Sequence, residues 1–167
     1  MSSAAGTRRI ALLVEYDGTD FAGSQSQPGQ RTVQDTLEAA LTQFTGETQR
    51  MRFAGRTDSG VHARGQVATL DTSTRHERAR WVAAMNRFLP PDVAVRGACV
   101  VPSDFDPRRS ARLRRYTYRV EDGRPRSPLA RRDAWQLDAT LDAASMALAA
   151  SLLPMVLTSV VAGALLT

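Results

Sequence analysis

The stretch Gly55-Arg56-Thr57-Asp58-Ser59-Gly60, continued by Val61-His62-Ala63, sets one carboxylate two positions from one guanidinium, between two glycines. A short polar run bracketed by residues that permit tight turns can hold an ionised aspartate at the mouth of a cleft, and Arg56 is near enough in sequence to help keep it ionised. In an extended segment, side chains two apart point to the same side, so Arg56 and Asp58 are expected to pair. An aspartate between glycines is more often a simple turn former. The elements around it decide which of the two it is.

Those elements belong to one ordinary domain, or one domain and a fragment of a second, since the chain has 167 residues, 43% of them hydrophobic and 23% charged. A single cysteine, Cys99, excludes an intramolecular disulfide framework and suits a reducing compartment. With two histidines and no CxxC or HxxxH spacing, the chain lacks the ligands of a protein-only structural zinc site. Met1 to Thr7 is small and polar and does not resemble a signal peptide, so a cytoplasmic location is expected.

All 22 basic residues are arginine, giving a net charge of +5. The absence of lysine says little, because base composition alone can produce it. Placement says more: between Arg108 and Arg132 ten arginines face two acids, Glu121 and Asp122, and Tyr116 and Tyr118 are interleaved among them. Guanidinium groups bind phosphates through paired hydrogen bonds and aromatic faces stack on unpaired bases, so this run reads as a nucleic-acid surface, with a solvated charged strand as the plain alternative.

Periodicity predicts a largely buried strand at Ile10–Tyr16, ended by Asp17-Gly18-Thr19, and a polar loop from Asp20 to Arg31. Thr32 then caps a helix whose apolar face is Val33, Leu37, Ala40, Leu41 and Phe44, and Gly46 stops it. A short strand over Arg50–Gly55 leads into the Asp58 loop, and another over Gln66–Leu70 leads out. A second helix spans Glu77–Leu89, with Trp81, Met85, Phe88 and Leu89 on one side and Pro90-Pro91 closing it. Val93–Val101 is the fourth strand and Arg112–Val120 the fifth, with Tyr116 and Tyr118 on the face opposite Arg115 and Arg119. The β-α-β-β-α-β order predicts an α+β, ferredoxin-like antiparallel sheet with both helices on one face and the other face open to a ligand. Residues 8–141 are taken as this domain and 142–167 as an apolar, atypical tail.

With these elements placed, the chain resembles the N-terminal half of TruA-type tRNA pseudouridine synthases. The resemblance runs from Ile10 to about Leu141. It is carried in order by Glu15-Tyr16-Asp17-Gly18, Gly23-Ser24-Gln25-Ser26-Gln27, Thr32-Val33-Gln34, the Gly55–Ala63 run, Gly65-Gln66-Val67, Asn86, Leu89-Pro90 and Arg114-Arg115-Tyr116-Thr117-Tyr118. It implies two ferredoxin-like halves around a basic cleft and isomerisation of uridine to pseudouridine in the tRNA anticodon arm, at tRNA positions 38 to 40. It also implies a homodimer that needs neither cofactor nor metal. By the same resemblance Asp58 is the nucleophile, and Tyr116 stacks on the target base and is a candidate for removing its C5 proton. Arg56, on the side of Asp58 if the segment is extended, could contact the phosphate of a flipped nucleotide, and Arg114 and Arg115 are read as RNA contacts only as part of the arginine group. His62 is read as structural. A non-catalytic RNA-binding module that uses the arginine-rich sheet surface is the alternative function.

Two departures stand out. Ser24 occupies a position where such enzymes usually carry Trp, which reads as the loss of an apolar anchor near the cleft. After about Leu148 the expected continuation is absent, and no charged residue occurs from Ala143 to Thr167. A tail anchor, an apolar packing helix and out-of-frame translation of a truncated gene each account for that tail. The last is favoured, and a membrane partner is the least expected.

Overall fold

The computed structural model describes residues 6–123, 125–152 and 158–162. The chain divides into two compact units, Met1–Ala111 and Arg112–Thr167.

In the first unit, strand β1 (Arg8–Tyr16) alternates as a one-sided strand must: Ile10, Leu12, Val14 and Tyr16 are buried while Leu13 and Glu15 are exposed. Helix α1 (Val33–Thr45) starts where the sequence placed its cap, with Thr32 accepting from the Asp35 amide at 3.2 Å, and stops at Gly46. Strand β2 (Arg52–Phe53) is two residues long, shorter than the Arg50–Gly55 expectation, because the chain leaves the sheet after Ala54, whose N–H still donates to the Val67 carbonyl at 2.9 Å. Strand β3 (Ala63–Thr72) is longer than expected and begins directly after His62. Helix α2 (Arg78–Phe88) buries Trp81 and Met85, and strand β4 (Val93–Val101) has the predicted bounds.

These strands form an antiparallel sheet in the order β2-β3-β1-β4, with Leu12 opposite Ala68 on one side and Ala98 on the other. Leu37, Leu41, Trp81 and Met85 share one core cluster with Ile10, Leu12 and Val14, so both helices cover the same face of the sheet. The Asn86 amide joins α2 to β4 as a strand partner would, donating to the Val95 carbonyl at 2.9 Å and accepting from its N–H at 2.7 Å. On the opposite face, Arg9 grips Asp71 with two hydrogen bonds, at 2.7 and 2.9 Å, and donates to the Phe105 carbonyl at 3.0 Å. That anchors the segment that follows β4.

The second unit is a three-stranded sheet in which β5 (Tyr116–Asp122) lies between β6 (Trp135–Leu137) and β7 (Thr158–Ala162), both parallel to it. The fifth strand therefore starts four residues later than the pattern suggested and runs on to Asp122. Helix α3 (Ala143–Leu152) is capped by Asp142, whose carboxylate accepts from the Ala144 and Ser145 amides at 3.1 and 3.0 Å. Among the described residues no helix is long and apolar enough to cross a membrane. Residues 153–157 and 163–167, on which part of the tail reading falls, lie outside the described residues.

Candidate active site

The Asp58 loop lies along the segment that follows β1, and the contact explains the composition of both. At its entry the Gly55 carbonyl accepts from the Gln66 side-chain amide at 2.8 Å. The next residue inward, Thr57, is held three ways. Its N–H donates to Ser24 Oγ at 2.8 Å, its carbonyl accepts from the Ser24 N–H at 2.9 Å, and its hydroxyl lies 2.8 Å from the Tyr16 hydroxyl. Burial pushes the Tyr16 phenol above its ordinary range, while hydrogen bonds with Thr57 and Gln66 pull it part of the way back, so it stands in the loop as a neutral strut.

Beyond Asp58 the chain turns, with the Val61 N–H donating to the Asp58 carbonyl at 3.2 Å. The Phe21 carbonyl takes two bonds from this turn, from Ser59 Oγ at 3.1 Å and from the Gly60 N–H at 3.3 Å. Phe21 is itself fixed, because Arg31 covers its ring at 3.9 Å and also pairs with Asp92. The loop ends at His62, whose Nδ1 accepts from the Gly18 N–H at 3.2 Å and lies 3.0 Å from Asp17 Oδ1. The first contact needs a bare Nδ1 and the second an Nδ1–H, so the two are alternatives. Either way His62 ties the loop to the end of β1, which is the structural role expected for it.

Close approach accounts for two of the glycines. A Cβ on Gly18 would sit 2.0 Å from the Val61 carbonyl oxygen, and one on Gly23, whose φ is +98°, would sit 2.9 Å from the Thr57 oxygen.

The outcome is a loop fixed by its backbone and free at its chemistry. Arg56 and Asp58 are both exposed while Thr57 between them is partly buried. They do not pair: among the described residues no ion pair or hydrogen bond joins the two side chains. The predicted pairing is therefore corrected, and the reason is geometric, since Thr57 is anchored by its own peptide groups and needs no ion pair to set its neighbours. Nor do the described residues contain a cluster of three or more His, Cys, Asp or Glu able to hold a metal ion.

Arg114, Arg115 and Tyr116 fall in the second unit, the two arginines leading into β5 and Tyr116 opening it. All three are exposed, as are Thr117, Tyr118 and Arg119 after them. Ser24 is 1% exposed, and its hydroxyl is spent on the Thr57 backbone. Sequence reasoning missed Ser24, Tyr16, Phe21 and Gln66 as parts of the site. The only local signal for them was two glycines, Gly18 and Gly23, in one polar loop.

Residues 12–108 match the family model described as tRNA pseudouridine synthase. That match covers the whole of the Asp58 loop and its cradle. The chain belongs to the tRNA pseudouridine synthase family. It is 52% identical over 139 residues to tRNA pseudouridine synthase A of Roseiflexus castenholzii, covering 83% of this chain and 52% of that protein. It is 46% identical over 143 residues to the enzyme of that name from Myxococcus xanthus, covering 86% and 54%, and 53% identical over 121 residues to that of Ralstonia nicotianae, covering 72% and 44%. The chain thus spans about half the length of these synthases, and the half it spans carries the Asp58 loop.

Proposed function

We propose that this chain is a tRNA pseudouridine synthase that isomerises uridine to pseudouridine in the anticodon arm, at tRNA positions 38 to 40, with Asp58 as the nucleophile. The observation that carries this reading is a carboxylate left exposed and unpaired on a loop whose backbone is anchored from Gly55 to His62. In the reaction the C1′–N1 bond breaks and a C1′–C5 bond forms, C5 gives up its hydrogen to solvent, and N1 takes a proton. No electrons are exchanged with a cofactor, and a carboxylate is sufficient. Asp58 can act by adding to C1′, by adding to C6 or by assisting glycal formation, and each route needs the same free side chain.

Arg56, two residues before Asp58, is suited to the phosphate of a nucleotide flipped out of its stack. Tyr116 supplies a stacking face for the target base, and Arg114 and Arg115 supply phosphate contacts. The strand order β2-β3-β1-β4 with both helices over one face supports the ferredoxin-like description of the first unit. A homodimer in the cytoplasm is the setting that the resemblance to the full-length synthases suggests.

Exposure of Tyr116 and Tyr118, 45% and 60%, favours one further reading, an RNA-binding module without catalysis. Tritium release from tRNA labelled at uridine C5 separates the two, because only the isomerisation expels that hydrogen. Release by the chain and not by Asp58→Asn is the expected result. No release from either protein, with tRNA still retained in a salt-dependent manner, would leave the binding module.

A further inference from the structure

We infer that Ser24 is a positioning residue that sets Arg56 relative to Asp58 through the two peptide groups flanking Thr57. The inference rests on the reading of Asp58 and Arg56 as the reactive pair of a synthase. A peptide unit is planar and carries the Cα atoms on both sides of it, so fixing either its N–H or its carbonyl fixes the direction in which the neighbouring residue leaves. The Thr57 N–H belongs to the peptide that starts at the Arg56 Cα, and Ser24 Oγ holds it at 2.8 Å. The Thr57 carbonyl belongs to the peptide that ends at the Asp58 Cα, and the Ser24 N–H holds it at 2.9 Å. One buried residue therefore grips both planes: its side chain accepts from the Arg56 plane at 2.8 Å, and its main-chain N–H holds the Asp58 plane at 2.9 Å, with a longer 3.4 Å contact from Oγ to the same carbonyl.

This division of labour explains how Arg56 and Asp58 keep their places without an ion pair between them. It also explains the burial of a serine where a large apolar residue was expected: at 1% exposure it has no access to solvent, and its hydroxyl accepts from Thr57 and lies 3.4 Å from the Thr57 carbonyl. The Thr57 hydroxyl is held separately by Tyr16, so loss of Ser24 Oγ leaves the residue tethered and frees chiefly the Arg56 plane. Ser24→Ala removes that bond and the longer 3.4 Å contact from Oγ to the Thr57 carbonyl, while the shorter hold on that carbonyl stays because the main-chain N–H of residue 24 is still present.

The test is a double-mutant cycle on tritium release, with Ser24→Ala made alone and in an Arg56→Ala background. Displacing a substrate-contacting group by a fraction of an ångström to an ångström slows a reaction by roughly 10- to 100-fold, so Ser24→Ala alone is expected to fall in that range. In the Arg56→Ala background the same change is expected to alter the rate less than about twofold, because the group it positions is already gone. A general loosening of the fold would slow both backgrounds equally, and equal losses would overturn the inference. Should Ser24→Ala not fold, Ser24→Cys, which puts a weaker acceptor in the same place, is measured in the same two backgrounds. There a smaller loss is expected, again absent without Arg56. Amide exchange provides an arm independent of turnover: the Thr57 amide should exchange at least about tenfold faster in Ser24→Ala, since it loses its acceptor. If the parent chain releases no tritium, the synthase reading fails for this chain. An unchanged Thr57 exchange rate overturns the role of Ser24 in either case.

Discussion

The two units of this chain treat apolar surface in opposite ways. In the first, Ile10, Leu12, Leu37, Leu41 and Trp81 are all buried beneath two helices, and the loop bearing Asp58 is built on that support. In the second, Leu129 is 96% exposed and Trp135 68%, while α3, apolar on every side, has Leu148 exposed. Among the described residues, no hydrophobic side chain after Val95 is buried. The difference teaches where precision in the site originates. Asp58 and Arg56 are placed by a chain of bonds ending in a packed core, whereas Tyr116 opens a three-stranded sheet and is exposed, with Arg114 and Arg115 exposed ahead of it. On the proposed reading, the group that forms a bond to substrate sits in the first setting, and the groups that attract a polyanion or offer a flat ring sit in the second.

The sharpest way to break that comparison is at the reactive group. Asp58→Asn should lower tritium release by at least about a thousandfold while leaving the thermal midpoint unchanged, since an exposed, unpaired side chain supports no packing. Retained turnover would move the chemistry away from the first unit. Next in size is the core: Leu37→Ala should cost about 3 kcal/mol in urea unfolding, because it empties a fully buried site. Loss of the α1 cap is smaller, and Thr32→Ala should cost about 1 kcal/mol by the same measurement.

Acid tests the polar ties of the first unit. Hydrogen bonding from Arg9 holds the Asp71 carboxyl below its ordinary range, against the opposing effect of desolvation. Burial pushes Glu47 up, but hydrogen bonds from Ser73 and Thr72 bring it below the ordinary range overall. Both groups therefore bind protons less readily in the folded chain than in the unfolded one. Their contribution is complete above the ordinary carboxylate range, near pH 4, and is lost as the pH falls through the lower folded values. Urea midpoints should thus decline on acidification below about pH 4, and Asp71→Asn should flatten the decline. Asp71 is partly exposed, so solvent screening keeps its share small. Smallest of all is the counterpart in the second unit, Leu129→Ala, which should change stability by no more than about 0.5 kcal/mol. A cost equal to that of Leu37→Ala would erase the distinction between the units.

Much of the first unit was readable in advance because its signals are local. Thr32 and Gly46 bound α1 as their side chains and backbone preferences require, and Val93–Val101 has the ends expected for the fourth strand. The errors fell where a strand meets a loop. The pattern of Arg50–Gly55 suits a strand, but only Arg52 and Phe53 pair, since the residues after them turn away toward Tyr16 and Ser24. Arg56 and Asp58 could be picked out by residue type and spacing. The hydrogen-bonding role of Ser24 was not legible because its partner is 33 positions away and nothing in the local sequence announces it.

The sequence alone determined the order of the elements, the caps of α1, the apolar faces of the two helices, and the presence of a carboxylate and a guanidinium two positions apart in a glycine-bounded loop. Each of these follows from interactions spanning a few residues. Only the tertiary structure decided that this loop is laid against residues 16–24 and that Ser24 grips both peptides around Thr57. It also left Arg56 and Asp58 unpaired. Those outcomes depend on hydrogen bonds between distant segments, which form only after the sheet has brought the end of β1 beside the start of β3.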